Sequence, residues 1–159
     1  MPKIIKQKAR AILFDRQQRL VLIKRTRPGR APYWVTAGGG VEPEDASVEA
    51  ALHREVFEEL GGHIDRVRKV VVITDELPEG TLIQHVFVAR LTAMDPSSRT
   101  GPEFSDPTRG TYETVVLPGT DETLKGISLL PDSLARFLED NLGDLGDLVA
   151  GPRTETPRA

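Results

Sequence analysis

Three glutamates have the residue type and the spacing needed for metal chemistry. Residues three and four positions apart are neighbours on one face of an α-helix, so Glu55, Glu58 and Glu59 would present their carboxylates together. Like charges at this spacing destabilise a helix, which favours a compensating cation. Mg²⁺ prefers oxygen ligands, and Mn²⁺ shares that preference. The three residues therefore predict a site for Mg²⁺ that Mn²⁺ could occupy in its place, and the alternative is a solvated acidic surface.

A helix is predicted from Asp45 or Ser47 to Leu60, and it must position these glutamates. Its apolar residues recur every four positions from Val48 to Leu60, which gives the stripe by which a helix packs on a sheet. Asp and Ser are favourable first residues for a helix, and the two glycines after Leu60 are a common end. Arg54 lies beside the glutamates and offsets part of their charge.

The same helix and the residues before it resemble the Nudix box of the Nudix hydrolases. That pattern is Gly, five residues, Glu, seven residues, then Arg-Glu-apolar-any-Glu-Glu-any-Gly-apolar. Residues 54–61 (REVFEELG) match its second half, and residues 38–45 (GGGVEPED) are similar to its first half. We align Asp45 with the first Glu of the pattern, which requires one inserted residue before Arg54. The last apolar residue is replaced by Gly62.

The resemblance implies an α/β fold, the Nudix-type α/β/α sandwich with a mixed β-sheet, over roughly residues 5 to 142. It also implies hydrolysis of the diphosphate linkage of a nucleoside diphosphate derivative. Glu55, Glu58 and Glu59 would hold Mg²⁺, while Arg54 would orient the glutamates by pairing with one of them or with Asp45. The general base varies in the family, and two choices stay open here. One is Glu55, and the other is Glu103 on a distant loop.

Further residues are candidates for binding such a substrate. Gly38, Gly39 and Gly40 allow close approach of the backbone and unusual φ angles, which suits a loop beside phosphates. The segment 25–32 is broken by proline and glycine and contains three arginines, of which Arg25 and Arg27 are the main candidates to clamp a diphosphate. Trp34 is a candidate to stack on a base. The alternative for the glycines is a tight turn, and the alternative for the segment 25–32 is a solvated loop. The alternative for Trp34 is a position in the core.

Composition limits the remaining function classes. The 159 residues carry a formal charge of −3 and contain no cysteine, which disfavours a nucleic acid polymer as partner and excludes thiol chemistry. No segment is apolar enough for a membrane span or a secretory signal, so we expect a cytoplasmic protein with no membrane partner. The predicted partner is a small nucleotide diphosphate, and relatives suggest a possible homodimer. The alternative to an enzyme is a Nudix-fold sensor that binds a nucleotide without turnover.

The other elements are predicted from apolar patterns and turn residues. A hairpin is expected from Ala9 to Phe14 and Leu20 to Lys24, followed by an antiparallel pair from Lys69 to Thr74 and Leu82 to Leu91. A long irregular loop at 95–110, a strand from Tyr112 to Leu117 and a helix from Pro131 to Leu142, capped by Asp132 or Ser133, complete the prediction. These elements form a single domain, residues 1–142, and residues 143–159 are predicted to be a flexible tail.

Overall fold

The computed structural model describes residues 3–95, 97 and 107–150. Its strands are β1 (Ile4–Phe14), β2 (Leu20–Thr26), β3 (Tyr33–Val35), β4 (Ala37–Gly40), β5 (Gly62–Leu77), β6 (Gly80–Met94) and β7 (Thr111–Leu117). Its α-helices are α1 (Val48–Leu60), α2 (Asp121–Lys125) and α3 (Asp132–Val149), and Pro107–Arg109 forms one 3-10 turn. No helix in the described part of the chain is long and apolar enough to cross a membrane.

The strands form one mixed sheet. The central path has the order β3-β2-β1-β6-β5, with β4 added to β1 and β7 added to β2. β1 runs parallel to β6 and antiparallel to β2 and β4. The predicted hairpin of β1 and β2 and the predicted antiparallel pair of β5 and β6 are both confirmed.

Alternation along β1 divides the core into two layers. Ala9, Ala11 and Leu13 pack in one cluster with the apolar stripe of α1. Ile12 and Phe14 point to the opposite face and pack in a second cluster with α2 and α3. Successive side chains of a strand face opposite sides of a sheet, so one strand supplies both cores. The predicted α/β/α sandwich with a mixed sheet is therefore confirmed.

Helix α1 begins and ends as its residue types predict. The Ser47 side chain accepts a hydrogen bond from the Ala50 N–H at 3.0 Å and satisfies one free donor of the first turn. At the other end Gly61 has a left-handed φ of 58°, and its N–H donates to the Phe57 carbonyl oxygen at 2.8 Å. The glutamates are thereby fixed on a helix whose two ends are both defined.

Two sheet segments differ from the prediction. β5 and β6 are longer than predicted, because backbone pairing continues through their polar, exposed ends until only residues 78–79 are left as a turn. Gly38, Gly39 and Gly40 form β4 and not a loop, because their backbone pairs with Arg10, Ala9 and Lys8, respectively. A side chain at Gly38, where φ is 145°, would collide with the Ala9 carbonyl oxygen, so this close pairing needs glycine.

Helix α3 also differs from the prediction. It does not end at Leu142 but continues to Val149, so residues 143–149 are not part of a flexible tail. The reason is that Leu142, Leu145 and Val149 extend the apolar face of the helix and are all buried. Neither Asp132 nor Ser133 caps α3, because Pro131 stands at the N-cap position and no side chain caps the helix start. The end of the chain, residues 151–159, lies outside the described residues.

Candidate active site

The polar face of α1 is organised around one arginine. The Arg54 guanidinium binds Asp45 through two parallel hydrogen bonds, from Nε to Oδ1 at 2.9 Å and from Nη2 to Oδ2 at 2.8 Å. The hydrogen bond from Arg54, followed by one from the Glu42 N–H, lowers the pKa of Asp45 to about 2. The same hydrogen bond, which Arg54 donates to Asp45, raises the pKa of Arg54. The segment before the helix is thus held to the helix by a two-point ionic contact.

The other donors of Arg54 contact two of the glutamates. Nη1 donates to Glu55 Oε1 at 3.0 Å and lies 3.3 Å from Glu58 Oε2. Nη2 also donates to the Gly40 carbonyl oxygen at 3.0 Å. Arg54 therefore joins β4, the segment before α1 and the acidic face of α1. The structure brings together the residues that the sequence motif placed in one site.

The glycines of β4 lie directly against the remaining carboxylates. Glu59 is only 8% exposed, and its Oε1 accepts a hydrogen bond from the Gly38 N–H at 2.6 Å. A Cβ at Gly39 would come within 2.6 Å of both carboxylate oxygens of Glu55. Any side chain at Gly39 would therefore displace Glu55, so this glycine is needed for room beside the carboxylate. The sequence predicts that Gly38–Gly40 approach phosphates; the structure places Gly38 and Gly39 against the glutamates, while the Gly40 carbonyl oxygen accepts from Arg54.

A row of basic residues on β1 lies beside the glycines of β4, and sequence reasoning missed it. We call Lys6, Lys8 and Arg10 the β1 basic row; they alternate along the strand and so share one face. Burial lowers the pKa of Arg10, while the charges of Glu59 and Glu55 counteract this effect. Burial, and then the neighbouring Arg10 and Lys6, lower the pKa of Lys8 to about 8. The only signal in the sequence was a cation at every second position.

The cations predicted in the segment 25–32 have other contacts. The Arg25 guanidinium lies 3.6 Å from the centre of the Tyr112 ring, and its Nη2 donates to the Arg109 carbonyl oxygen at 2.7 Å. Arg30 lies over the Tyr33 ring at 4.3 Å. Arg27 is exposed. The structure does not bring these arginines into the network around Arg54.

Two further predicted residues also lie apart from that network. Trp34 packs against the second core cluster, with Lys24 Nζ lying 5.6 Å from the centre of its ring. Glu103, the candidate base on the 95–110 loop, lies outside the described residues.

The glutamates fit a hard cation by their donor type. Within the described ranges, the structure contains no group of three or more histidine or acidic side chains arranged to hold a metal ion. The carboxylates nevertheless share one helix face, and Gly39 leaves space beside Glu55 that a Cβ would fill. An ion binding there would compete with Arg54 for the oxygens of Glu55 and Glu58. The site is therefore suited to a metal in its ligands but not arranged around one.

The fold and this site define the class of α/β/α hydrolases whose helix carries an Arg-Glu-x-x-Glu-Glu motif. The NUDIX domain family model matches residues 5–123. The chain belongs to the NUDIX family, and it is a hydrolase of phosphorus-containing acid anhydrides. Members of this family generally use divalent metal ions and bind derivatives of nucleotides. Comparison with curated protein sequences gives no significant match.

Solved structures with the same fold share little sequence with this chain. A NUDIX hydrolase from Nitrosomonas europaea has a TM-score of 0.66 at 17% identity, covering 89% of this chain and 90% of its own. The MutT protein from Methanosarcina mazei Go1 has a TM-score of 0.62 at 21% identity, with coverages of 91% and 96%. The NUDIX domain of Shewanella oneidensis NrtR, crystallised with ADP-ribose, has a TM-score of 0.65 at 15% identity, with coverages of 89% and 88%. At these identities the likeness shows the fold alone.

Proposed function

We propose that the protein is a Mg²⁺-dependent pyrophosphohydrolase that cleaves the diphosphate linkage of a nucleoside diphosphate derivative. The observation that carries the proposal is the network of Arg54, which contacts Asp45, Glu55, Glu58 and the Gly40 carbonyl oxygen at once. Such a network orients carboxylates that would otherwise repel each other. A solvated acidic surface has no need of a partly buried arginine that makes several contacts of this kind.

The three glutamates are the proposed metal ligands. A bound Mg²⁺, or Mn²⁺ in its place, would supply neutralisation of the negative charge on the phosphoryl oxygens. Glu59 is already held by the Gly38 N–H, whereas Glu55 and Glu58 share their oxygens with Arg54. Glu59 is therefore the ligand held by the backbone, and Glu55 and Glu58 are ligands whose orientation Arg54 maintains.

The β1 basic row is the proposed partner of the diphosphate. Phosphoryl transfer is catalysed mainly by positioning and by fixed charges that stabilise the transition state. Lys8 and Arg10 provide such charges beside Glu55 and Glu59, because the pKa values of both cations respond to Glu55. The attacking water would lose its proton to a carboxylate, and Glu55 and Glu103 are the two proposed bases. We also propose Arg27 only as an outer contact for the anion.

The Glu58→Gln variant tests the function. It keeps the size of the side chain and removes one charged ligand, so we expect kcat to fall by about 100-fold or more while the fold is retained. The measurement is phosphate or nucleotide release in the presence of Mg²⁺ and of Mn²⁺, together with titration of Mn²⁺ binding. Full activity in this variant would overturn the metal assignment.

The control for this test is Glu49→Gln. Glu49 lies on the same helix but is exposed, and its nearest ionic partner is His53 at 3.7 Å. We expect this variant to keep the activity of the unmutated protein within about twofold. A sensor without turnover would give a different result, namely tight nucleotide binding and no release with the unmutated protein.

A further inference from the structure

Strand β5 lies at one end of the sheet and has a long free edge. Its 16 residues, Gly62–Leu77, pair with β6, and no other described strand pairs with them. A free edge presents backbone N–H and carbonyl groups that can hydrogen-bond to a strand of another chain. Folded proteins therefore usually keep their edge strands short or interrupt them with bulges. β5 is long, and its bulges are confined to its first part.

The second part of β5 is regular, and the centre of the strand is apolar. The irregularities in its pairing with β6 all lie between His63 and Val71, whereas the pairs from Val71 to Leu77 are continuous. Residues 70–73 read Val-Val-Val-Ile, and β-branched residues have high strand propensity. Val72 is 46% exposed and Leu77 is 41% exposed. This part of the edge is therefore suited to pairing with a further strand.

The charges of β5 are divided between the two sides of this apolar centre. Arg68 and Lys69 precede the centre and are exposed, and Asp75 and Glu76 follow it. Each of the two carboxylates accepts a hydrogen bond from a neutral side chain of β6. Among the described residues, none of these four side chains takes part in an ion pair. The strand therefore has a basic end and an acidic end.

Other cations lie near the acidic end but leave part of it accessible. One cavity is lined by two carboxylates and three cations, namely Asp75, Glu76, Lys8, Arg10 and Arg136. Glu76 is nevertheless exposed to solvent, and the described cations form no ion pair with it. A cation of another molecule can therefore approach Glu76 from the free edge.

The two charged ends make β5 complementary to itself. If two copies pair antiparallel about a two-fold axis at Val72, the two Val72 side chains lie opposite each other, and Lys69 lies opposite Asp75 of the second copy. The extra residue near Val70 shifts this count by one and places Arg68 opposite Asp75, so a cation faces a carboxylate in either case. In-register parallel pairing would bring like charges together. The charges therefore favour a second copy of this chain as the partner.

The edge strand β7 does not have this property. Among the described strands it pairs with β2 alone, and it exposes Val116 at 38%. The single charged residue of Thr111–Leu117 is Glu113, so two copies of β7 would have no opposite charges to pair. Exposure alone does not distinguish the two edges, whereas the distribution of charge favours β5.

We propose that two copies of this chain associate through β5, in an antiparallel pair centred on Val72 that makes one continuous sheet across the dimer. The interface has two-fold symmetry, so each pair of opposite charges occurs twice. The two Val72 side chains lose their contact with water at the axis. The inference goes beyond the proposed function and does not depend on it, because it concerns an edge formed by β5 alone.

Sedimentation equilibrium is the first test. At about 100 μM we expect the unmutated protein to have twice the 17.5 kDa mass of one chain. Val72→Asp brings two carboxylates together at the axis and should weaken the dimer by about 100-fold or more, whereas Val72→Thr keeps the β-branched shape and should weaken it by less than about tenfold. Val116→Asp on β7 is the matched control and should leave the dimer unchanged. A monomer at this concentration, or a dimer that Val72→Asp does not affect, would overturn the proposal.

Reversal of charge at each end tests the antiparallel arrangement. One variant carries Arg68→Glu and Lys69→Glu, and the other carries Asp75→Asn and Glu76→Lys. Each variant alone brings like charges together, so its dimer should be weakened by at least about tenfold. A mixture of the two variants restores opposite charges at both ends and should dimerise within about threefold of the unmutated protein. Lys125→Glu, an exposed change on α2, should have no effect. A mixture that stays monomeric would overturn the proposal.

A single introduced thiol identifies the axis directly, because the chain contains no cysteine. Opposite residues of an antiparallel pair have Cβ atoms about 4.5–5.5 Å apart, which is close enough for a disulfide after a small adjustment. Mild oxidation of Val72→Cys should therefore give mostly covalent dimer on a denaturing gel. Val116→Cys, at a similarly exposed position on β7, should stay mostly monomeric under the same conditions. Equal cross-linking of the two variants would overturn the proposal, and circular dichroism establishes that each variant keeps the fold.

Discussion

Two basic segments of this chain carry similar charge and use it in different ways. The segment 25–32 has the densest group of arginines in the sequence, yet Arg25 lies on the Tyr112 ring and bonds a backbone carbonyl oxygen. The β1 basic row has fewer arginines but lies across β4 from the glutamates of α1. The comparison teaches that the density of cations in a sequence does not locate an anion site. The position of each cation relative to the carboxylates does.

The difference follows from what each segment packs against. An arginine next to an aromatic ring stacks on the face of the ring, and this contact fixes the orientation of the planar guanidinium. Lys8 and Arg10 are instead partly buried between the sheet and α3. Burial of a charge costs free energy unless an opposite charge compensates for it. The nearby carboxylates compensate for only part of this cost. A phosphate group would complete the set of charges.

Within the two basic segments, the largest expected effect is that of Arg10→Met. This variant keeps an unbranched apolar side chain but removes a cation whose pKa responds to Glu59 and Glu55, so we expect kcat/KM to fall by about 100-fold. The free energy of unfolding should fall by about 1–3 kcal/mol, because the buried Gln84 Oε1 loses its donor, so kcat/KM is compared per folded molecule. The measurements are kcat/KM with Mg²⁺ and a urea titration.

Two variants control this prediction. Arg10→Lys keeps the charge and should recover part of the lost activity. Arg16→Met removes an exposed arginine just beyond the other end of β1 and should have no effect on kcat/KM. If Arg10→Met retained full activity, the β1 basic row would have no role in binding the diphosphate.

The site around Arg54 could be predicted because it is local. Asp45, Arg54 and Glu58 lie within one helix and its approach, and the helical period fixes their relative positions. The fold class could be predicted for a related reason, because the apolar side chains along β1 and the apolar stripe of α1 each define a buried face. Both predictions needed only contacts between residues close together in the sequence.

The remaining features depend on contacts between distant residues. Gly38–Gly40 have low intrinsic strand propensity, and only their pairing with β1 makes them a strand. Lys8 and Arg10 come to lie beside the glycines that contact the glutamates through antiparallel pairing of β1 with β4, which the sequence does not specify. The cavity lined by Asp75 of β5 and Ser133 of α3 exists only once the sheet and α3 are assembled. Glu103 stays a prediction.

A smaller effect is expected from the titration of Lys8. Its pKa of about 8 in the folded protein lies below its ordinary value of 10.5, chiefly because of burial. Lys8 should therefore lose its charge as the pH rises above 8, and kcat/KM for an anionic substrate should fall over that range. The unfolded chain still binds this proton between pH 8 and 10.5, so the Lys8 contribution to stability should rise over the same range.

The pH profiles of Lys8→Met and Lys8→Arg check this prediction. In Lys8→Met the fall of kcat/KM above pH 8 should disappear and the rise of stability should be reduced. In Lys8→Arg the charge persists, so activity should stay level at high pH. An unchanged profile in both variants would assign the titration to another group.

The smallest expected effect on activity is that of Arg25→Met, and it decides between the two basic segments. The variant removes the contact with the Tyr112 ring and the hydrogen bond to the Arg109 carbonyl oxygen, so the free energy of unfolding should fall by about 1–2 kcal/mol. Activity per folded molecule should change by less than about twofold. Exposed Arg27, changed to Met, should leave the free energy of unfolding unchanged. The opposite result, a large loss of kcat/KM at unchanged stability, would return the diphosphate to the segment 25–32, because a cation that only packs on a ring cannot affect the reaction without first affecting the fold.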